Sequence, residues 1–180
     1  MGKEIETKIL EVDKDAVAKI LTDLGAEQIQ DTLLTVDWFR PKGVKDGEDP
    51  WYLRIRTTAA GSSEVTWKSK PVAVGISKQV HEINLKIEDP AAAAEMFAAI
   101  GLEQYAHQEK YRASWKLNDL HFDLDQYPDM PAYLEIEGES EDRLHEGIRL
   151  LGLEKHRAVA EGERILIQNE YKLNWHEMRF

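Results

Sequence analysis

Charged side chains alternate with apolar ones in several short segments of this chain, and that alternation restricts the fold more than any other feature. The first segment is Glu4-Ile5-Glu6-Thr7-Lys8. Successive side chains of an extended strand point to opposite faces, so Glu4, Glu6 and Lys8 share one face of a probable strand. The pattern returns far along the chain as Glu135-Ile136-Glu137, two carboxylates on one strand face with a single apolar residue between them. Like-charged pairs brought together in one fold repel unless a cation sits between them, which raises a divalent-metal site. Taken alone, Glu-x-Glu on a solvated sheet face is common and reads as structural.

The basic residues change that balance. Arg54 and Arg56 alternate in Tyr52-Leu53-Arg54-Ile55-Arg56, Lys68 and Lys70 in Val65-Thr66-Trp67-Lys68-Ser69-Lys70, and Lys110 and Arg112 in Glu109-Lys110-Tyr111-Arg112. If these strands curl into one closed sheet, acids hold metal at one side of the interior and bases receive anionic oxygens at the other. A polyphosphate has that charge pattern.

The strand faces opposite the charges carry Ile5 and Ile9, Leu53 and Ile55, Val65 and Trp67, Phe122 and Leu124, and Leu134 and Ile136. An apolar sheet face is buried under helices in globular proteins. Three amphipathic stretches supply them. Residues 13 to 24 start at Asp13 and stop at Gly25, residues 90 to 100 start at Asp89-Pro90 and stop at Gly101, and residues 141 to 151 follow Ser140 and stop at Gly152. Each follows a strand of related form, at residues 4 to 9, 82 to 87 and 135 to 137, as in an internal repeat of strand, helix and glycine stop. Further strands are expected near residues 31 to 39, 51 to 57, 64 to 69, 105 to 117 and 120 to 126. Turns are signalled at Pro41 to Pro50, Ala59 to Ser63 and Asn118-Asp119. The expected fold is α+β: an eight-stranded barrel with a charged lumen and its helices packed outside, formed by residues 1–180 as one domain. The closing stretch, Tyr171, Leu173, Trp175, Met178 and Phe180, is expected to pack across the barrel, the alternative being a lid or a homodimer contact.

The composition bounds the partners. A net charge of −11 argues against nonspecific nucleic-acid binding, and no apolar run approaches a membrane span. The first residues carry no signal-peptide apolar stretch, and the chain has no cysteine, so disulfides and thiolate ligands are excluded and a cytoplasmic setting is expected. No Walker A loop, zinc-like cluster or paired-glycine dinucleotide motif is present. The six histidines do not fall at metal-ligand spacing; His121 shares the face of Asp123 and Asp125 but reads first as a solvated strand-end residue.

The Glu-x-Glu-x-Lys opening, the paired arginines, Thr66-Trp67-Lys68, Lys110-x-Arg112 and Leu134-Glu135-Ile136-Glu137, in that order, resemble the CYTH superfamily of triphosphate tunnel metalloenzymes. That family includes class IV adenylate cyclases and thiamine, inorganic and RNA triphosphatases, built on an eight-stranded antiparallel tunnel. The resemblance implies Glu4, Glu6, Glu135 and Glu137 as ligands of Mg²⁺ or Mn²⁺ or as water-activating groups. It implies Lys8, Arg54, Arg56, Lys68, Lys110 and Arg112 as phosphate contacts, with Glu4, Glu6 and Lys8 at the reacting centre. Phe122-Asp123-Leu124-Asp125 resembles the strand that adds one more acidic ligand, Asp123 or Asp125, and the spacing to Glu135 favours Asp125. Two departures stand out. Val80-His81-Glu82 lacks the arginine of the family's Arg-x-Glu, leaving Lys78 or Lys86 to supply the contact, and Asp37-Trp38-Phe39 keeps an acid and aromatic rings but no tyrosine hydroxyl.

A metal-dependent triphosphatase is the favoured expectation, because the readable residues address phosphates and metal and none addresses a base. A class IV adenylate cyclase, a non-catalytic polyphosphate or nucleotide sensor, and salt-bridge ladders on an open sheet are the competing readings.

Overall fold

The computed structural model describes residues 3–180, apart from the side chains of Lys3, Glu4, Ala73 and Val74. Its eight long strands are β1 (Lys3–Ile9), β2 (Glu27–Pro41), β3 (Tyr52–Thr58), β4 (Ser63–Lys68), β6 (Ser77–Ile87), β7 (Leu102–Leu117), β8 (Leu120–Gln126) and β9 (Tyr133–Gly138). They pair in the ring β1-β9-β8-β7-β2-β3-β4-β6, and β6 returns to β1, so every contact around the ring is antiparallel and the sheet is closed. Closure removes the open sheet on which a solvated ladder of ion pairs would have lain. Three short strands are added: β5 (Val72–Val74) on β6, β10 (Ala158–Val159) on β1, and β11 (Glu177–Met178), which runs parallel to β7.

Helices α1 (Lys14–Asp23), α2 (Pro90–Ala99) and α3 (Glu141–Leu150) begin where the caps predict. Asp13 accepts from the amides of Asp15 and Ala16, and Asp89 from that of Ala92, satisfying donors that a helix N-terminus leaves open. At the other end of α1, Gly25 at φ 76° lets its amide reach Thr22 O while Ala26 N bonds Leu21 O, a Schellman stop repeated at Gly152. The strands of the three repeat units lie side by side as β6-β1-β9.

The apolar strand faces point outward, as the alternation requires. Val17 and Leu21 of α1 and Leu144 and Ile148 of α3 pack on Ile9, Phe122, Leu134 and Ile136. Phe97 of α2 meets Phe39 edge-on at 5.1 Å, above Leu53 and Ile55. No helix among the described residues is long and apolar enough to cross a membrane, which says nothing of crossing by strands.

The interior is less uniformly charged than the alternation suggests. Trp38 lies opposite Arg54 and Val36 opposite Arg56, so these β2 residues face inward with the arginines. They and Leu34 pack against Tyr127, Tyr133, Leu166, Ile167, Trp175 and Met178, most of which arrive from the C-terminal segment. That segment runs through a three-residue α4 (Glu163–Ile165) and a π-helical turn (Leu166–Glu170). The Gln108 amide accepts from Trp38 Nε1 at 2.8 Å and donates to Trp175 O at 2.6 Å, tying the segment to the barrel interior. Trp175 and Met178 are buried as the closing stretch predicts, whereas Phe180 stays exposed beside Tyr111.

Candidate active site

A cavity of about 310 Å³ occupies the lumen. One wall, from β1, β8 and β9, presents Glu6, Asp123, Glu135 and Glu137. Strand register explains the grouping: Glu6 lies opposite Glu137, Lys8 opposite Glu135, and Asp123 opposite Glu135. The rest of the lining comes from Arg54 and Arg56 on β3, Lys68 on β4, and Lys78 and Glu82 on β6, which closes the ring beside β1 and sets Lys78 next to Glu6. Gly162 to Ile165 and Trp175 form a floor.

On the acid wall each base is already neutralised. Lys8 Nζ donates to Glu135 at 2.6 Å and to Glu6 at 3.1 Å. Burial alone would push the ammonium down, but Glu135 and Glu6 outweigh it and hold Lys8 above the usual lysine range. Arg112 Nε and Nη2 donate to Asp125 at 2.6 and 2.5 Å, Nη2 also reaches Glu135 at 3.2 Å, and Nη1 pairs with Asp123. Although burial would raise both acids, Lys8 holds Glu135 well below the ordinary carboxylate range and Arg112 does the same for Asp123.

The rest of the lining holds its cations less comfortably. Arg54 Nε is buried with no hydrogen-bond partner, and the guanidinium lies 5.4 Å over the Trp38 ring. Arg56 donates to Glu64 at 2.5 Å, yet burial and the neighbouring charges of Arg54 and Arg112 push its pKa down. Lys78 sits 2.8 Å from Glu6, but burial and Lys8 depress it as well. Lys68 pairs with Glu82. An anion entering between Arg54, Arg56 and Lys78 would relieve all three.

The structure thus gathers Glu6, Arg54, Arg56, Lys68, Arg112, Asp123, Glu135 and Glu137 around one cavity, and Lys8 among its lining residues. The backbone of Glu4 lies in β1 opposite Val80, but its side chain falls outside the described residues. Lys110 and Asp125 lie behind the wall: Lys110 Nζ donates to Asp125 at 2.9 Å and to Glu163 at 3.2 Å, and Tyr133 O–H reaches the same two carboxylates. Of the two aspartates, then, Asp123 faces the cavity while Asp125, favoured on spacing, is enclosed by Arg112, Lys110 and Tyr133. Lys70 lies beyond the end of β4 and is exposed. Val80 takes the place of the family's arginine on the cavity wall; Lys78 reaches in beside it, and Lys86 is exposed. Asp37 faces outward, bonded to His107 and Gln104 at 2.7 Å. His121 lines the cavity with Nε2 3.1 Å from Asp123, closer to the site than a solvated strand end.

Glu163 and Arg164 are the lining residues that sequence reasoning missed. They follow β10 in a stretch without periodicity, so no local signal marks them. Of the two candidates for the missing contact, Lys78 and Lys86, the first lines the cavity, and Glu82 was legible beside it, since Lys78-x-Val80-x-Glu82 continues the inner-face parity of β6.

The donor set of the acid wall is carboxylate oxygen, which suits a hard divalent ion. Among the described residues no three acidic or histidine side chains converge on one point. That arrangement fits Mg²⁺, which is held by one or two carboxylates together with substrate phosphates rather than by an all-protein cage.

Comparison with known proteins gives a concordant result. A CYTH domain model matches residues 2–162. A candidate adenylate cyclase of Methanocaldococcus jannaschii is 30% identical over 134 residues, covering 74% of this chain and 75% of that protein. Among solved structures, a Pyrococcus horikoshii protein superposes with a TM-score of 0.70 at 24% identity, covering 84% of this chain and 92% of its own. A Hippeastrum protein, described as a candidate adenylyl cyclase with a dominant triphosphatase activity, gives 0.65 at 15% identity over 99% of this chain and 100% of its own.

Proposed function

The chain belongs to the CYTH family, and from that premise we propose that it is a divalent-metal-dependent phosphohydrolase of a triphosphate. The observation that carries the reading is the mixed lining of the closed lumen: carboxylates on β1, β8 and β9 share one cavity with the buried, under-neutralised cations Arg54 and Arg56 of β3 and Lys78 of β6, the last set beside Glu6. Arg54, Arg56 and Lys78 hold the phosphate oxygens, and the planar guanidinium forks add orientation to charge. One or two of the wall carboxylates, Glu6 and Glu137 first among them because they are cross-strand neighbours, would hold Mg²⁺ or Mn²⁺ together with the substrate's phosphates, with Asp123 and Glu135 beside them. A bound ion there would neutralise phosphate charge and lower the pKa of a coordinated water. Lys8 holds Glu6 and Glu135 in place and keeps Glu135 ionised, and Arg112 does both for Asp123 and Glu135. Hydrolysis adds water to the terminal phosphorus as its bond to the bridging oxygen breaks, giving orthophosphate and diphosphate. Catalysis of this kind is mostly positioning and charge stabilisation, which a rigid barrel supplies.

A cyclase would also need a surface for adenine. Neither tryptophan of the cavity offers much free face: Trp38 packs on Trp175 at 5.3 Å and carries Arg54 on its ring, which leaves Tyr52 as the remaining aromatic side chain among the lining residues beside them. The volume, about 310 Å³, lies at the lower end of the range for small-molecule sites, roughly 300–1,000 Å³. Both observations favour a ligand recognised through its phosphates.

The test is to incubate the protein with Mg²⁺ or Mn²⁺ and, separately, tripolyphosphate, ATP and thiamine triphosphate, and to identify every phosphorus-containing product. Orthophosphate with the corresponding diphosphate is the expected result. Cyclic AMP with diphosphate from ATP would assign the cyclase instead, and no turnover of any of them despite binding would make the site a sensor.

A further inference from the structure

An acid lies on the floor of a tunnel whose other inward cations are arranged for an anion. Glu163 lines the cavity with its side chain 15% exposed, and the same carboxylate binds Lys110 at 3.2 Å and accepts from Tyr133 at 3.3 Å. It is a fixed feature. Arg164 anchors the segment to Asp49 at 2.8 Å and Asp46 at 3.1 Å, and Leu166 and Ile167 are buried just beyond. Although burial would raise this carboxyl, Lys110 and Arg54 hold it well below the ordinary glutamate range, so it keeps its negative charge under working conditions.

The cavity therefore has polarity along its length as well as across it. Along β8 the inward side chains run His121, Asp123, Asp125; Glu163 shares Lys110 and Tyr133 with Asp125 at the end filled by Tyr127, Leu166, Ile167 and Trp175, and the partly exposed His121 lies at the other, more open end. A linear phosphate chain entering from the open side meets Arg56 and Arg54, then a negative charge. A carboxylate facing a phosphate oxygen at close range in a partly dry lumen is strongly repulsive, and Lys110, which would attract that phosphate, is already neutralised by Glu163 and Asp125. We propose that Glu163 is a specificity-determining residue that limits the length of the phosphate chain the tunnel accepts, admitting a triphosphate and rejecting longer linear polyphosphates. The inference rests on the triphosphate reading above and narrows it to short chains.

Direct binding by calorimetry separates the two ideas. Inorganic tripolyphosphate and linear pentapolyphosphate are titrated into the wild-type protein, Glu163→Gln and Glu163→Asp, each variant first checked for cooperative melting. Wild type is expected to bind tripolyphosphate at least about tenfold more tightly than pentapolyphosphate, although the longer chain carries more charge. Glu163→Gln should shrink that ratio by about tenfold, and Glu163→Asp, which keeps the charge, should retain most of it. Equal or tighter binding of pentapolyphosphate by wild type overturns the proposal without recourse to any variant. So does an unchanged ratio in a folded Glu163→Gln protein. Failure of wild type to bind tripolyphosphate at all would instead overturn the triphosphate reading on which the proposal stands.

Discussion

The two walls of the lumen use the same residue types to opposite ends. On β1, β7, β8 and β9 the buried bases have found acids: Lys8 lies between Glu6 and Glu135, Arg112 between Asp123, Asp125 and Glu135, and Lys110 between Asp125 and Glu163. On β3 and β6, Arg54 keeps a buried Nε without a partner, and Arg56 and Lys78 remain depressed despite one carboxylate each. A buried ion pair contributes little net stability over apolar packing, yet removing one partner leaves the other charge uncompensated. The first wall is therefore a preorganised scaffold whose parts depend on one another. The second carries a cost in the free protein that an anionic ligand relieves, and that cost is a source of affinity. The lesson is that a basic residue's place in the tunnel does not reveal its task; its neutralisation does.

The sharpest way to break this comparison is to remove one base from each wall and measure unfolding. Lys8→Met leaves Glu6 with Lys78 alone and Glu135 with Arg112 alone and removes the charge between the two acids, and it is expected to cost about 3 kcal/mol in urea denaturation. Arg54→Ala deletes a cation that lacks a partner for its Nε and should cost less, through lost packing on Trp38 and a weaker charge interaction with Glu163, which keeps Lys110. Equal losses in the two variants would show that the walls do not differ.

Which residues face the lumen was legible from parity; which of them join the acids and how each charge is met was not, as Lys8, Lys110 and Arg112 show. Glu6, Lys8, Arg54, Arg56, Glu135 and Glu137 follow from alternation because a strand's two faces are set locally, and the helices follow from Asp13, Asp89, Ser140 and the glycine stops. Depth along the barrel is a long-range property. Lys110 and Asp125 share the inner face with Arg112 and Asp123 but lie where the C-terminal segment enters, and their partner Glu163 comes 53 residues after Lys110. Leu34, Val36 and Trp38 carry the same lesson: only the arrival of Trp175 and Ile167 makes an apolar interior stable there. The alternation of Lys68 with Lys70 overreached, since β4 ends at Lys68.

Activity measurements sharpen the difference on the other wall. Arg54→Ala should lower kcat/KM on the best triphosphate by about 10²-fold, the scale expected for one donor aimed at developing charge, with Arg54→Lys recovering only part. Neutralising the exposed Lys14 or Lys155 should leave the rate near that of the parent. The reverse ranking would mean that the arginines do not face substrate. Glu137→Gln should lose metal-dependent turnover while melting normally. A smaller effect is expected from ligand alone: tripolyphosphate with Mg²⁺ at about a hundredfold over its Kd should stabilise the wild type by about 2.7 kcal/mol, seen as a rise in Tm. That rise should largely vanish in Arg54→Ala, whereas a full rise in the variant would detach binding from the second wall.

The smallest expected effect concerns pH and the residue that joins scaffold to floor. Glu163 has a folded pKa below its ordinary value of 4.5, because Lys110 and Arg54 outweigh the effect of burial. For a depressed carboxyl the stabilisation is complete above the unfolded value and is lost as pH falls through the folded one. Wild-type Tm should thus be insensitive to this group above about pH 5 and should decline on acidification below 4.5 as the unfolded chain takes up the proton first. Asp123 and Glu135 titrate in the same sense, so the decline belongs to several acids. Subtraction isolates Glu163: Glu163→Gln should start from a lower Tm near neutrality and converge on wild type toward acid, because the interaction it lacks is the one wild type is losing. Parallel Tm curves for the two proteins from pH 7 to strong acid would mean that Glu163 has the same proton affinity folded and unfolded, and would remove it from the neutralised scaffold.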